Sequence, residues 1–213
     1  MTTTTSTVIT SVVLDADDPA AGQAFYAALG VADRISVRAA QVPSTGFRGY
    51  TLSIVVAQPN DVDAFVDTAV SAGATVVTPV KKSLWGYGGV VQAPDGAVWK
   101  VASSSKKNTG PATGRIESLV LLLGVDDVKA TKAFYVDRGL SVAKSFGRKY
   151  VEFTAPESAV TLALLGRAAL AKDAGTDPAG TGSHRITIVS DGGSFTDPDG
   201  FVWDALDSAP REP

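Results

Sequence analysis

A chain of 213 residues, 45% hydrophobic and 19% charged, has an ordinary globular composition that suits one large domain or two small ones. A formal net charge of -3 with no dense Lys/Arg run argues against a nucleic-acid or anionic-membrane surface, which needs a clustered basic footprint. The absence of cysteine excludes disulfides, iron–sulfur clusters, thiolate zinc sites and thiol nucleophiles.

Met1 to Thr7 is threonine-rich and lacks the charged and apolar regions of a secretory signal, so residues 1–7 read as a frayed tail and the protein as cytoplasmic. No apolar run approaches the roughly 20 residues of a membrane-spanning helix. Val8 to Leu14 is a β-branched run that predicts a buried strand. Asp18-Pro19 then predicts a helix start: the carboxylate accepts backbone N–H groups, and a proline in the first turn loses no hydrogen bond. Gly30 predicts its left-handed end, and Ala21, Phe25 and Leu29 share its buried face.

A short strand is expected at Ile35 to Arg38 and a strongly apolar one at Tyr50 to Ala57. Asn60 is expected to cap a second helix that buries Val62, Phe65, Val66, Ala69 and Val70 and ends at Gly73. Strands near Thr75 to Val80, Gly89 to Gln92 and Ala97 to Ala102 follow, with Pro94-Asp95-Gly96 as a hairpin turn. These residues, 8–102, make a first unit. Residues 103–114 are polar, hold Gly110 and Pro111, and read as a domain linker.

The second unit, 115–207, restarts with a strand at Ile116 to Leu123 and a helix capped by Asp126 or Asp127 and closed by Gly139. Strands are expected near Leu140 to Ser145, Tyr150 to Thr154, Val160 to Leu164 and Ile186 to Val189, with one helical turn at Ala168 to Lys172. Asp197-Pro198-Asp199-Gly200 is the last turn, before a strand at Val202 to Leu206, and 208–213 is a tail.

The two units repeat their signatures in order. Phe25-Tyr26 with Gly30 recurs as Phe134-Tyr135 with Gly139, and Pro94-Asp95-Gly96-Ala97-Val98-Trp99-Lys100 recurs as Pro198-Asp199-Gly200-Phe201-Val202-Trp203-Asp204. That is a tandem duplication. The copies are trimmed in opposite places: the first lacks a hairpin that the second keeps between Gly139 and Leu165, and the second lacks the helix that the first keeps at 60–73. One face of the final sheet is then expected to be covered by the other unit or by a second subunit, which makes a homodimer a candidate assembly.

An Asp-capped helix carrying Phe-Tyr and a terminal Gly, strands ending in Pro-Asp-Gly-x-x-Trp, and the Trp85-Gly86-Tyr87-Gly88-Gly89 loop together resemble the vicinal oxygen chelate superfamily of glyoxalase I, bleomycin-resistance proteins and extradiol dioxygenases. The resemblance covers nearly the whole chain. It implies an α+β fold of tandem paired βαβββ-type modules forming curved, half-open mixed sheets whose concave face holds a ligand. In the enzymes of that superfamily, inward His, Gln or Glu side chains hold one divalent metal that acts as a Lewis acid; its metal-free resistance proteins sequester a drug.

Set against that pattern, the second unit offers His184 and Asp204 as metal ligands, with Glu117 as a third if the register shifts by one residue. Asp204 has Arg185 or Lys149 as alternative partners, and His184 reads equally as a structural histidine at a strand entrance. The first unit has Lys100 where a metal-binding carboxylate belongs, and no metal is assigned there. Trp99 and Trp203 are expected in the cores behind their hairpins. Phe47, Tyr50, Trp85 and Tyr87 are the candidate walls of an aromatic cleft, with Lys100 as an anchor for an anionic group. The expected function is therefore binding of a small molecule with no cofactor. The alternative is a lyase, isomerase, transferase or oxygenase using one zinc, nickel, manganese or iron ion in the second unit, and a scaffold with degenerate cavities is a third reading.

Overall fold

A computed structural model describes residues 6–154 and 156–206; the tail at 208–213 and most of the tail at 1–7 lie outside them. Its strands are β1 (Ile9–Ala16), β2 (Ile35–Ala39), β3 (Ser44–Gly46), β4 (Tyr50–Val55), β5 (Thr75–Ser83), β6 (Gly86–Gln92), β7 (Val98–Ser103), β8 (Ser118–Val125), β9 (Ser141–Ser145), β10 (Tyr150–Thr154), β11 (Thr161–Gly166), β12 (Gly180–Gly182), β13 (Ile186–Ser190), β14 (Phe195–Thr196) and β15 (Val202–Ala205). The helices are α1 (Pro19–Ala28), α2 (Pro59–Ser71), α3 (Val128–Asp137) and α4 (Arg167–Ala174).

The local chemistry accounts for most of these limits. Asp18 accepts the N–H of Ala21 ahead of Pro19, and Gly30 follows α1 at φ 68°. Asp127, not Asp126, caps α3: the amides of Ala130 and Lys129 bond its carboxylate and hold it below its usual range. α4 is longer than the single turn expected and ends on Gly175 at φ 70°. Asn60 does not cap α2. The helix starts one residue earlier on Pro59, so Asn60 lies inside its first turn and its side chain bonds Gly110 and Asn108 instead. Val70 is exposed, on the outer side of that helix.

The strands form three sheets: an eight-stranded one in the order β5-β6-β7-β4-β8-β11-β10-β9, a five-stranded one in the order β14-β15-β13-β1-β2, and the two-stranded ribbon β12-β3. Neither large sheet belongs to one half of the sequence. Antiparallel pairing of β4 with β8, Leu52 opposite Leu121, joins the complete βαβββ modules at the middle of the chain. Pairing of β1 with β13, Val12 opposite Ile188, joins the trimmed modules at its two ends. The trimming is the one expected: β1, α1 and β2 make a bare parallel βαβ unit, and β13 leads to β14 with no helix between. Part of the face left by the missing helix is covered from within the second unit. Phe134 and Tyr135 of α3 pack on Phe195 and Trp203, and the Arg138 guanidinium lies 3.5 Å from the Phe134 ring centroid.

One hydrophobic core lies between the large sheets. Two copies of one contact cross it. Tyr26 of α1, in the five-stranded sheet's module, donates its hydroxyl to Asp95 at 2.5 Å, in the turn before β7 of the eight-stranded sheet. Tyr135 of α3, in the eight-stranded sheet's module, donates to Asp197 at 2.5 Å, in the turn before β15 of the five-stranded one. The Trp99 and Trp203 rings, fully buried as expected, lie 5.5 and 5.3 Å from their tyrosines. Burial, reinforced by the neighbouring carboxylate, holds both phenols well above their usual range, so each remains a donor.

The linker is not a loose tether. Asp61, fully buried at the start of α2, accepts from the amide and hydroxyl of Thr113, and Gln58 accepts from Thr109 and Gly110 while donating to Pro111. Burial alone would raise the Asp61 carboxyl, but these bonds outweigh it and hold it below its usual range.

Tyr26→Phe and Tyr135→Phe should each lower unfolding free energy by about 1.5–3 kcal/mol, since each strands a buried carboxylate oxygen, and the two losses should add because the sites are far apart. Urea denaturation of the single and double variants measures both quantities. Asp61 stabilises the fold in full above its unfolded-state pKa of about 3.9, and this contribution is lost as pH falls through the lower folded value. Asp61→Asn should therefore cost stability at neutral pH and lose less than wild type on acidification, read from urea midpoints against pH.

Candidate functional site

Side chains alternate between the two faces of a strand, so register sorts them. On the eight-stranded sheet Leu52, Trp99, Val101, Leu119 and Leu121 face the common core, and Ser53, Lys100, Ala102, Val120 and Leu122 face the other way, onto an open face. α4 lies across that open face against β8, β11, β4 and β7, where Leu170 and Ala171 pack with Phe47, Leu122 and Leu165.

Beside the C-terminal end of α4 the open face holds a cavity of about 270 Å³, lined among others by Trp85, Gly88, Val90, Lys100, Ala102 and Asp173. Its floor is flat because β6 is glycine-rich. A Cβ on Gly86, at φ 143°, would come within 2.0 Å of the Ser103 carbonyl oxygen, so only glycine lets the β5–β6 arm lie this close. Trp85 stands at the mouth on the tip of that arm, 86% exposed. Lys100 rises from β7 and its ammonium meets both Asp173 oxygens, at 3.0 and 2.7 Å. The pair is part-exposed, so it adds little to stability and is available to exchange partners. Lys81, also on the lining, adds a second cation with no carboxylate within 4 Å among the described residues.

Of the five expected contacts, Trp85, Tyr87 and Lys100 line this cavity, and Phe47 and Tyr50 do not. Tyr50 shares its side of β4 with Leu52 and Ile54, is 2% exposed, and points into the common core. Burial, with Asp95 close by, holds its hydroxyl far above the usual range. Phe47 is buried beneath α4. Tyr87 contributes backbone to the lining, but its side chain leaves on the helix-bearing face and donates to Asp63 of α2 at 2.8 Å, which raises its pKa. Asp173 was not anticipated, because the stretch Arg167 to Ala174 has too weak an apolar stripe to announce which face it buries.

The proposed metal ligands do not assemble. His184 Nδ1 faces the Arg48 carbonyl at 2.5 Å and Nε2 faces the Asp199 carbonyl at 3.0 Å, and the ring stacks on Phe201 at 4.0 Å, so neither nitrogen turns a lone pair to open space. Asp204 lies opposite Val189, so about 10 Å of strand separates its level from the end of β13 that His184 precedes. Glu117 is exposed at the entrance to β8 in the other sheet, bonded through its amide to Val55. Among the described residues no three His, Asp or Glu side chains group as a metal site, so this donor set does not fit a divalent ion. Nor does Asp204 pair with Arg185, whose guanidinium meets Asp17 at 2.9 Å and lowers that carboxyl's pKa.

No protein-family model matches the chain, and no curated protein matches it in sequence. Solved structures do match in fold. Glyoxalase I from Zea mays superimposes with a TM-score of 0.59 at 14% identity, over 94% of this chain and 92% of that one. A Bacillus subtilis protein assigned provisionally as a dioxygenase gives 0.56 at 11% identity, over 94% and 85%. The chain thus has the curved, mixed-sheet fold seen in these structures, over nearly its whole length. Identity this low establishes the fold and transfers no activity. No helix among the described residues is long and apolar enough to cross a membrane.

His184→Ala should leave zinc and nickel binding unchanged by equilibrium dialysis, yet lower stability by about 1–3 kcal/mol in a denaturant titration, because a part-buried carbonyl loses its donor.

Proposed function

We propose that the protein binds a small amphipathic anion on the open face of its eight-stranded sheet, in the cavity between the β5–β6 arm and α4, without a metal. The observation that carries this reading is a lining that holds Lys100 and Lys81 with a single carboxylate, Asp173, and an exposed indole. Two cations to one anion leave a net positive charge, which favours a carboxylate, sulfonate or phosphate head. The Trp85 ring offers a flat apolar body a large contact area at small entropic cost. Asp173 occupies Lys100 as an anionic head would, so a ligand either displaces it or settles on Lys81 beside it.

The sequence supplies its own reporter. Trp99 and Trp203 are fully buried, so a change in tryptophan emission on adding a ligand to the native protein reports on Trp85. Titration with a toluenesulfonate probe, which joins an aromatic body to a fixed anion and does not absorb in the tryptophan emission band, should quench or blue-shift that emission saturably. Trp85→Phe should abolish the signal, Lys100→Met should weaken binding about tenfold, and Asp173→Asn should strengthen it. A protein that no anionic aromatic in a broad thermal-shift screen stabilises is not a binding protein of this kind, since any ligand selective for the native state raises its stability.

A further inference from the structure

A second cavity lies at the opposite end of α4, which spans about 12 Å. Its volume is about 160 Å³, and Arg48, Arg167 and His184 line it together with the β3–β12 ribbon. No acidic residue lines it, and among the described residues neither arginine has a carboxylate within 4 Å.

These cations are held in place by the backbone. Arg167 donates Nε to the Pro178 carbonyl at 3.1 Å and Nη2 to the Phe47 carbonyl at 2.6 Å, with its guanidinium 5.4 Å from the Phe47 ring centroid. Its orientation is therefore fixed before any ligand arrives, with the Nη1 edge left over. That edge converges with His184 over Gly49. A Cβ on Gly49, at φ 84°, would lie 2.4 Å from Arg167 Nη1 and 3.1 Å from His184 Nδ1, so a larger residue would close the approach. Arg48 donates Nη2 to the Asp95 carbonyl at 2.6 Å, beside Gly96, and its own carbonyl faces His184 Nδ1.

We infer that this cavity is an oxyanion site, with Arg167 as its donor, that takes phosphate or the phosphoryl end of a small metabolite. A planar guanidinium matches a tetrahedral oxyanion through paired N–H donors. The volume gives room for one such group, and a lining with no exposed indole and no carboxylate separates this site from the cavity beside Trp85.

Isothermal titration of the full chain with inorganic phosphate, with acetate and chloride at matched ionic strength, tests the assignment. Saturable binding of phosphate over chloride is expected, with a rise in Tm of about 3–6 °C at tenfold the dissociation constant. Arg167→Gln should weaken it about tenfold while the Trp85 signal of the probe titration persists. Acetate binding as tightly as phosphate would replace the phosphoryl class with carboxylates and overturn that part of the inference. Phosphate no better than chloride, or retained in Arg167→Gln with native circular dichroism, would overturn the site.

Discussion

Everything in this molecule hangs on a tyrosine that reaches from a helix of one sheet to an aspartate in a turn of the other. The contact occurs twice, Tyr26 to Asp95 and Tyr135 to Asp197, each beside a fully buried tryptophan. Its value lies in the medium. A phenol and a carboxylate in contact with water would gain almost nothing from each other, but inside a shared core each phenol has this carboxylate as its one acceptor, so separating the sheets would leave its proton without a partner. Two such bonds at different points fix the angle between the sheets as well as their distance.

That constraint explains how the chain holds its fold with two of its four modules trimmed. The two modules in the middle are intact and form the broad sheet; the two at the ends have lost a hairpin and a helix and form the narrow one. The narrow sheet survives because α3 gives it a covering surface and because Asp197, raised in pKa by its burial, still accepts from Tyr135 and from the amides of Asp199 and Phe201. On the broad sheet α4 divides the open face instead of covering it, leaving separate spaces at its two ends.

The sequence announced the parts of this arrangement more clearly than their partners. Caps at Asp18 and Asp127 and ends at Gly30 and Gly139 could be read because they depend on a few adjacent residues. The repeated Phe-Tyr and Asp-Gly-x-x-Trp signatures were visible as repeats, but nothing local says that one bonds the other across a core. Nor does alignment identify the bond, since Asp95 corresponds to Asp199 whereas Tyr135 chose Asp197; Asp199 turns instead to the Asp126 amide and the Thr131 hydroxyl. At the site, Lys100 and Trp85 were legible from their position in the repeat and in a glycine-rich loop. Tyr50 and Phe47 were misplaced because aromatic character was weighed ahead of parity: Tyr50 falls in step with Leu52 and Ile54, which marks it as core. Asp173 and the arginines of the second cavity depend on where α4 lands, which its own composition does not encode.

The pairing of β1 with β13 sets an order of events during synthesis. Ile9 lies opposite Ser190, so β1 leaves the ribosome well before β13, its antiparallel neighbour. The broad sheet, whose strands run from Tyr50 to Gly166, can assemble in the meantime. For that interval the edge of β1 that β13 takes stays unpaired, the kind of open strand edge through which partly folded chains misassemble. Docking of β13 beside β1 closes the longest sequence separation among the strand pairings described, and contacts of that kind are slow to form.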